Sequence, residues 1–179
     1  MNEYDLRVYA KAIRFCIEAH GDQKRKYTGS PYWHHPVNVS TSLIEMGITD
    51  IEMVCAAILH DTVEDTKVTN EDIIKEFGDG IADLVYWLTD VSKPADGNRA
   101  QRKELDRMHA DCAPADAQTI KLADLIDNSK SILEHDPKFA KVYMAEKELL
   151  LDVLHKGSPT LMVKARAIVS DYKTTKHHN

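Results

Sequence analysis

The residues best suited to metal and phosphate chemistry fall in four short stretches. These are Lys24-Arg25-Lys26, His34-His35-Pro36, the run ILHDTVEDT (58–66), and Asp124 with Asn128 and Ser131. The third stretch ends an apolar run in His60, Asp61, Glu64 and Asp65. On a helical wheel continued from Ile51, Asp65 falls within the apolar sector and Asp61 at its edge, whereas a solvated acidic face would lie opposite. Inward carboxylates are costly unless paired, hydrogen-bonded or ligating a cation. This reading requires the helix to continue to Asp65 through the β-branched Thr62 and Val63. The competing reading is a polar helix end in solvent.

His34-His35-Pro36 stands at a loop-to-helix junction after TGSPYW, where Pro36 fixes the backbone that would aim a ligand. In AQTIKLADLIDNSKSI, Ile120, Asp124, Asn128 and Ser131 lie on one helical stripe, so a carboxylate again shares the apolar side. Inward polar groups at His35, His60, Asp61 and Asp124 form a mixed nitrogen and oxygen set suited to Mn²⁺, Fe²⁺, Zn²⁺ or Mg²⁺. His20, His109, His135 and His155 sit singly in polar surroundings, where a solvated side chain is the default.

Helical periodicity dominates the elements that must position these groups. It marks 4–20, then Pro36 to Met46 stopped by Gly47, then a helix from Ile51 capped by Thr49 or Asp50. Further stretches run at about 69–77, 79–92, 98–110, 115–133, 137–155 and 158–174. No period-2 run and no Asn-Gly hairpin cue appears. The breaks are too short for an interdomain linker. The expectation is an all-α single domain over 1–179, with His177-His178-Asn179 as a frayed end. With 43% hydrophobic and 29% charged residues the composition is that of a globular protein. No apolar stretch predicts a membrane span, and no basic-then-apolar leader predicts a signal peptide. Cys16, Cys55 and Cys112, an odd number without pattern, read as free thiols in a reducing cytoplasm. A net charge of −6 argues against nonspecific nucleic-acid binding but leaves room for a phosphorylated small molecule in a local basic pocket.

Taken in order, AHGDQKRKYTGSPYWHHPVNVS, AAILHDTVEDT and IKLADLIDN resemble the hydrolase domain of the RelA/SpoT family, within the HD superfamily of metal-dependent phosphohydrolases. The length is similar to that of the stand-alone members, the small alarmone hydrolases. The resemblance implies an HD-domain helical bundle. It also implies one Mn²⁺ held by His35, His60, Asp61 and Asp124, although other divalent metals remain open. Glu64 and Asp65 match the pair that positions and deprotonates the attacking water, with Glu64 the preferred base. Arg25 and Lys26, with Lys24 beside them, match the residues that meet the nucleotide or its phosphates. Asn128 and Ser131 match polar positions near sugar and base, and Tyr143 is a candidate phosphate contact weighed against a core-edge role. The implied reaction removes the 3′-pyrophosphate from (p)ppGpp or (p)ppApp, the nucleotides of the stringent response, with toxin neutralisation and alarmone turnover both open as its role. No synthetase domain is expected to follow.

The sequence also departs from the family pattern. One extra residue separates Arg25-Lys26 from His35, Ser30 replaces a glutamate, Trp33 adds a bulky ring before the ligand, and Leu125 and Asp127 stand where many members have Arg and His. Guanine and adenine therefore both remain open. A second basic group, Arg99, Arg102, Lys103 and Arg107, could cover the pyrophosphate or form a solvated face balanced by Glu104 and Asp106. Tyr32, Trp33, Tyr86 and Trp87 are candidates to wall a base pocket, weighed against core packing. The alternatives kept are another nucleotide phosphohydrolase, such as an NADPH 2′-phosphatase, and a non-catalytic nucleotide-binding module. Oligomeric state is left open.

Overall fold

A computed structural model of the protein describes residues 2–176, so the expectation of a frayed 177–179 lies outside the described residues. Those residues are all-α, with an isolated bridge between Lys24 and Pro31 as the sole β feature among them. The chain divides into two compact units, with the boundary at Thr89 and Asp90.

The first unit contains α1 (Glu3–His20), α2 (His34–Glu45), α3 (Ile51–Leu59), α4 (Thr62–Asp65), α5 (Asn70–Phe77) and α6 (Asp79–Leu88). Its centre is α3, whose residues from Met53 to Leu59 are all buried. Asp50 starts that helix by accepting from the Met53 amide at 3.0 Å. Helices α1, α2 and α6 pack around α3, and α5 packs on α6. Val39 and Leu43 of α2 and Ala12 and Cys16 of α1 are fully buried, as their three- and four-residue spacing predicts. The Ser40 hydroxyl joins α2 to α3 by donating to the Val54 carbonyl at 2.9 Å. Capping boxes at Asn2 with Asp5 and at Thr69 with Asp72 start α1 and α5.

The second unit contains a 3-10 turn (Pro94–Asp96), α7 (Arg99–Cys112), α8 (Ala115–His135), α9 (Pro137–Leu151) and α10 (Pro159–Lys176). Helices α8, α9 and α10 pack on one another, and α7 lies against α9. Two periodic stretches end earlier than their pattern suggests. The segment from 79 stops at Leu88, where Thr89 turns extended and its hydroxyl donates to the Val85 carbonyl. The segment from 137 stops at Leu151. No helix among the described residues is long and apolar enough to cross a membrane.

Candidate metal centre

Helix α1 stops at Gly21, whose φ of +49° suits glycine. The chain then folds into a tight loop that delivers His35. The Arg25 amide donates to the Ser30 carbonyl at 2.8 Å, the Gly29 amide to the Arg25 carbonyl, and the Tyr32 amide to the Gln23 carbonyl at 2.9 Å. Gly29, at φ +68°, makes the turn. The His35 amide then donates to the Tyr32 carbonyl at 3.0 Å as α2 begins, with Pro36 buried in its first turn.

The structure brings together three of the four residues expected to bind metal. One donor atom each from His35, His60 and Asp61 lies within 4.8 Å of the others. Both imidazoles are 1% exposed. Nε2 of His60 lies 3.2 Å from Asp61 Oδ1, and Nε2 of His35 lies 3.7 Å from Asp61 Oδ2. The Ala57 carbonyl, 2.8 Å from His60 Nδ1, can only accept, so Nδ1 carries the proton and Nε2 presents its lone pair to the cluster. Two buried imidazoles facing a carboxylate, one with its tautomer fixed from behind, fit a divalent metal ion by donor chemistry and by enclosure.

The expectation of one continuous helix to Asp65 is corrected. Helix α3 ends at Leu59, His60 and Asp61 form a turn, and α4 begins at Thr62. The Thr62 hydroxyl donates to the Leu59 carbonyl at 2.6 Å and the His60 ring to Ala57, so side chains occupy carbonyls at the break. The wheel placed Asp65 in the apolar sector, whereas Asp65 and Glu64 are exposed on α4. Asp61 is turned inward by the break itself, and Tyr32 meets it, its hydroxyl donating to Asp61 Oδ2 at 2.7 Å. Although the Asp65 residue is exposed, partial desolvation of its carboxyl raises it above the usual carboxylate range, and the Asp61 charge adds to this. The Tyr32 hydroxyl, His20 and His60 work in the opposite direction. Burial, followed by the Asp61 and Asp65 charges, pushes the Tyr32 phenol far above its ordinary value, so it remains a donor. Burial, with Asp61 behind it, pushes the Cys16 thiol up to about 12, and burial does the same for Cys55. Both are inert thiols.

Asp124 lies in the second unit, buried on α8. Asn128 Nδ2 donates to its Oδ1 at 2.6 Å, and Lys121 Nζ is 3.5 Å from its Oδ2. Ser131 donates to the Asn128 carbonyl at 3.3 Å, and Tyr143 donates to the Leu125 carbonyl at 3.4 Å. Leu125, one of the departures from the family pattern, is buried. Lys147 went unnoticed in the sequence. It is 1% exposed, and its Nζ donates to Ser129 Oγ at 2.7 Å and toward the Leu125 carbonyl at 3.5 Å. Its place on the inner side of α9, in step with Ala140 and Met144, was the available signal.

Of the first basic group, Lys24 and Lys26 are exposed and Arg25 lies over the Tyr32 ring, 5.8 Å from its centre. Much of the second group is committed to acids. Arg99 grips Glu146 with two bonds of 2.7 and 2.8 Å, Lys103 meets Asp90 at 2.6 Å and Asp106 at 3.3 Å, and Arg107 pairs with Glu104. Burial works to raise Asp90, yet Lys121 and Lys103 overcome it and hold that carboxyl below its usual range. The face balanced by acids describes this group. Among the aromatics, Tyr86 and Trp87 stack edge-on at 5.3 Å, and Trp33 meets His34 at 4.2 Å.

An all-helical chain carrying a buried histidine and a His-Asp pair in one cluster has the fold and donor set of an HD domain. Residues 12–150 match the HD domain family model, and the chain belongs to that family. The guanosine-3′,5′-bis(diphosphate) 3′-pyrophosphohydrolase MESH1 of Danio rerio is 36% identical over 141 residues, covering 77% of this chain and 76% of the relative. The enzyme named guanosine-3′,5′-bis(diphosphate) 3′-pyrophosphohydrolase in Aquifex aeolicus is 37% identical over 149 residues, which is 82% of this chain but 21% of that longer protein. A solved structure, described as a metazoan ortholog of SpoT that hydrolyzes ppGpp, matches with a TM-score of 0.83 and 31% identity. It covers 92% of this chain and 95% of its own. The all-α HD-domain fold expected from the motifs is the fold of this chain.

Proposed function

We propose that this chain is a metal-dependent 3′-pyrophosphohydrolase of nucleotide alarmones, (p)ppGpp, (p)ppApp or both, acting as one hydrolase domain over 1–179 in the cytoplasm. The observation that carries the reading is the buried His35, His60 and Asp61 cluster followed within one turn by Glu64 and Asp65. The names of the relatives supply the substrate class. Mn²⁺ is the assigned ion, with Asp124 as fourth ligand by its motif. Two free thiols kept inert by burial support a reducing compartment.

When bound, the ion supplies Lewis acidity and a more acidic water. Glu64 takes the proton of the attacking water, and the raised Asp65 beside it orients that water. The water oxygen bonds to the phosphorus attached at the 3′ oxygen. That P–O bond breaks, and the 3′ oxygen leaves as a hydroxyl after gaining a proton. The products are pyrophosphate and the 5′-phosphorylated nucleoside. Lys24, Arg25 and Lys26 meet phosphates, Arg25 with two parallel donors. Asn128 and Ser131 meet sugar and base, and Tyr143 contacts phosphate.

Purified protein incubated with Mn²⁺ and ppGpp, ppApp or NADPH separates the readings by product. Pyrophosphate released from either alarmone is the expected result. Inorganic phosphate from NADPH alone would move the assignment to a 2′-phosphatase, and binding without turnover would leave a nucleotide-binding module.

A further inference from the structure

Tyr32, a candidate to wall a base pocket weighed against core packing, has its hydroxyl, ring and backbone all engaged. Its hydroxyl donates to Asp61 Oδ2 at 2.7 Å, across 29 positions of sequence. Its ring stacks on His20 with centres 4.7 Å apart, and the Arg25 guanidinium covers the ring at 5.8 Å. His20 is 5% exposed, and its Nδ1 lies 2.8 Å from Gln23 Oε1. The Tyr32 backbone is pinned as well, its amide to the Gln23 carbonyl and its carbonyl to the His35 amide. A chain of contacts thus runs from Gln23 through His20 and Tyr32 to the Asp61 carboxylate. The Asp61 carboxylate turns about its last bond more freely than a backbone group does, and the Tyr32 hydroxyl adds a directional bond to Oδ2, the oxygen that faces His35 Nε2 at 3.7 Å.

We propose that Tyr32 is a positioning residue for the metal centre, fixing the rotation of Asp61 so that its carboxylate faces Nε2 of both His35 and His60. The Tyr32 carbonyl also accepts from the His35 amide in the first turn of α2, so one position meets two ligands, one through its hydroxyl and one through its backbone. A ligand held in this way loses little freedom when a cation arrives, which is how outer-shell partners contribute affinity. The inference rests on the reading that His35, His60 and Asp61 bind a divalent ion.

The test is a Mn²⁺ titration of metal-free protein against a chromophoric chelator, in the parent, Tyr32→Phe and Asp61→Ala, with a thermal melt of each. Tyr32→Phe keeps the ring and removes the donor. It should weaken Mn²⁺ by about 10- to 100-fold while melting with the parent, and saturating Mn²⁺ should restore most of its turnover. Parent-like Mn²⁺ affinity in Tyr32→Phe, alongside lost affinity in Asp61→Ala, overturns the role of Tyr32 and leaves the metal centre standing. Parent-like affinity in Asp61→Ala overturns the metal centre itself. A Tyr32→Phe protein that melts well below the parent marks a packing residue and also overturns the inference.

Discussion

Asp61 and Glu64 stand three residues apart and have different surroundings, and the roles proposed for them differ accordingly. Asp61 is turned toward two buried imidazoles, whereas Glu64 is exposed on α4. Asp61→Ala should therefore remove metal along with turnover. Glu64→Ala should keep metal content and lose turnover by roughly 10²- to 10⁴-fold, the usual worth of a general base. Metal analysis and steady-state rates on the two proteins check this, and full activity in Glu64→Ala would return the base role to Asp65. Lys147 supplies a second prediction at this scale. Burial pulls its ammonium from 10.5 down to about 8, with the Asp124 charge opposing. Below pH 8 the folded state carries a buried charge, at a cost of roughly 3 kcal/mol for a displacement of that size. Between about 8 and 10.5 the unfolded chain holds the proton that the folded chain has lost, so this residue's contribution to stability rises with pH through that window. Urea unfolding of the parent and of Lys147→Met should differ by an amount that changes across pH 8–10.5 and is flat below it. A difference independent of pH throughout would show that Lys147 does not titrate there.

At the scale of elements, one buried side-chain amide ties the start of α8 to two other segments. Gln118 Nε2 donates to the Ala110 carbonyl at 2.9 Å and toward those of Asp111 and Val153, and its Oε1 accepts from the Lys156 amide at 2.8 Å. It joins the end of α7 to the segment leading into α10 and is fully buried. Gly157 follows because the backbone there runs against α8. A Cβ on it would lie 2.8 Å from Leu122 Cδ1 and 3.1 Å from the Gln118 carbonyl carbon. Gln118→Leu should cost about 2–4 kcal/mol by taking the side-chain partner from the Lys156 amide and the Val153 carbonyl, and Gly157→Ala should cost about 1–3 kcal/mol through overpacking. Denaturant titration measures both, and because the residues adjoin, the double variant should lose less than the sum. Parent-like stability in Gln118→Leu would mean that water satisfies those groups.

On the scale of the whole molecule, the motifs and the helical period made the fold class and the candidate ligands legible. HDTVEDT, the His-Pro junction and KLADLIDN are local patterns, and their chemistry follows from residue type and spacing. Helix existence was equally legible, since apolar repeats of three and four residues specify a buried face whatever its partner. Helix ends were less so. The break at His60-Asp61 depends on which carbonyls the His60 ring and the Thr62 hydroxyl take, and several orientations of the same residues satisfy the same pattern. Lys147 escaped because a lysine in an apolar stripe ordinarily reaches out to solvent, and only its packing against Ser129 shows that it does not. The second basic group read ambiguously for a similar reason, as Glu146 and Asp90 are remote in sequence from the cations they hold. The sequence by itself determined the all-α HD-domain class and offered His35, His60, Asp61 and Asp124 as candidate ligands through their motifs, because motif and helical period are local properties. Only the tertiary structure decided that Tyr32 faces Asp61, that the helix breaks where the ligands begin, and that a lysine is buried under α8. The first and last depend on contacts between residues distant along the chain, and the break on which nearby carbonyls two side chains take, neither of which spacing alone encodes.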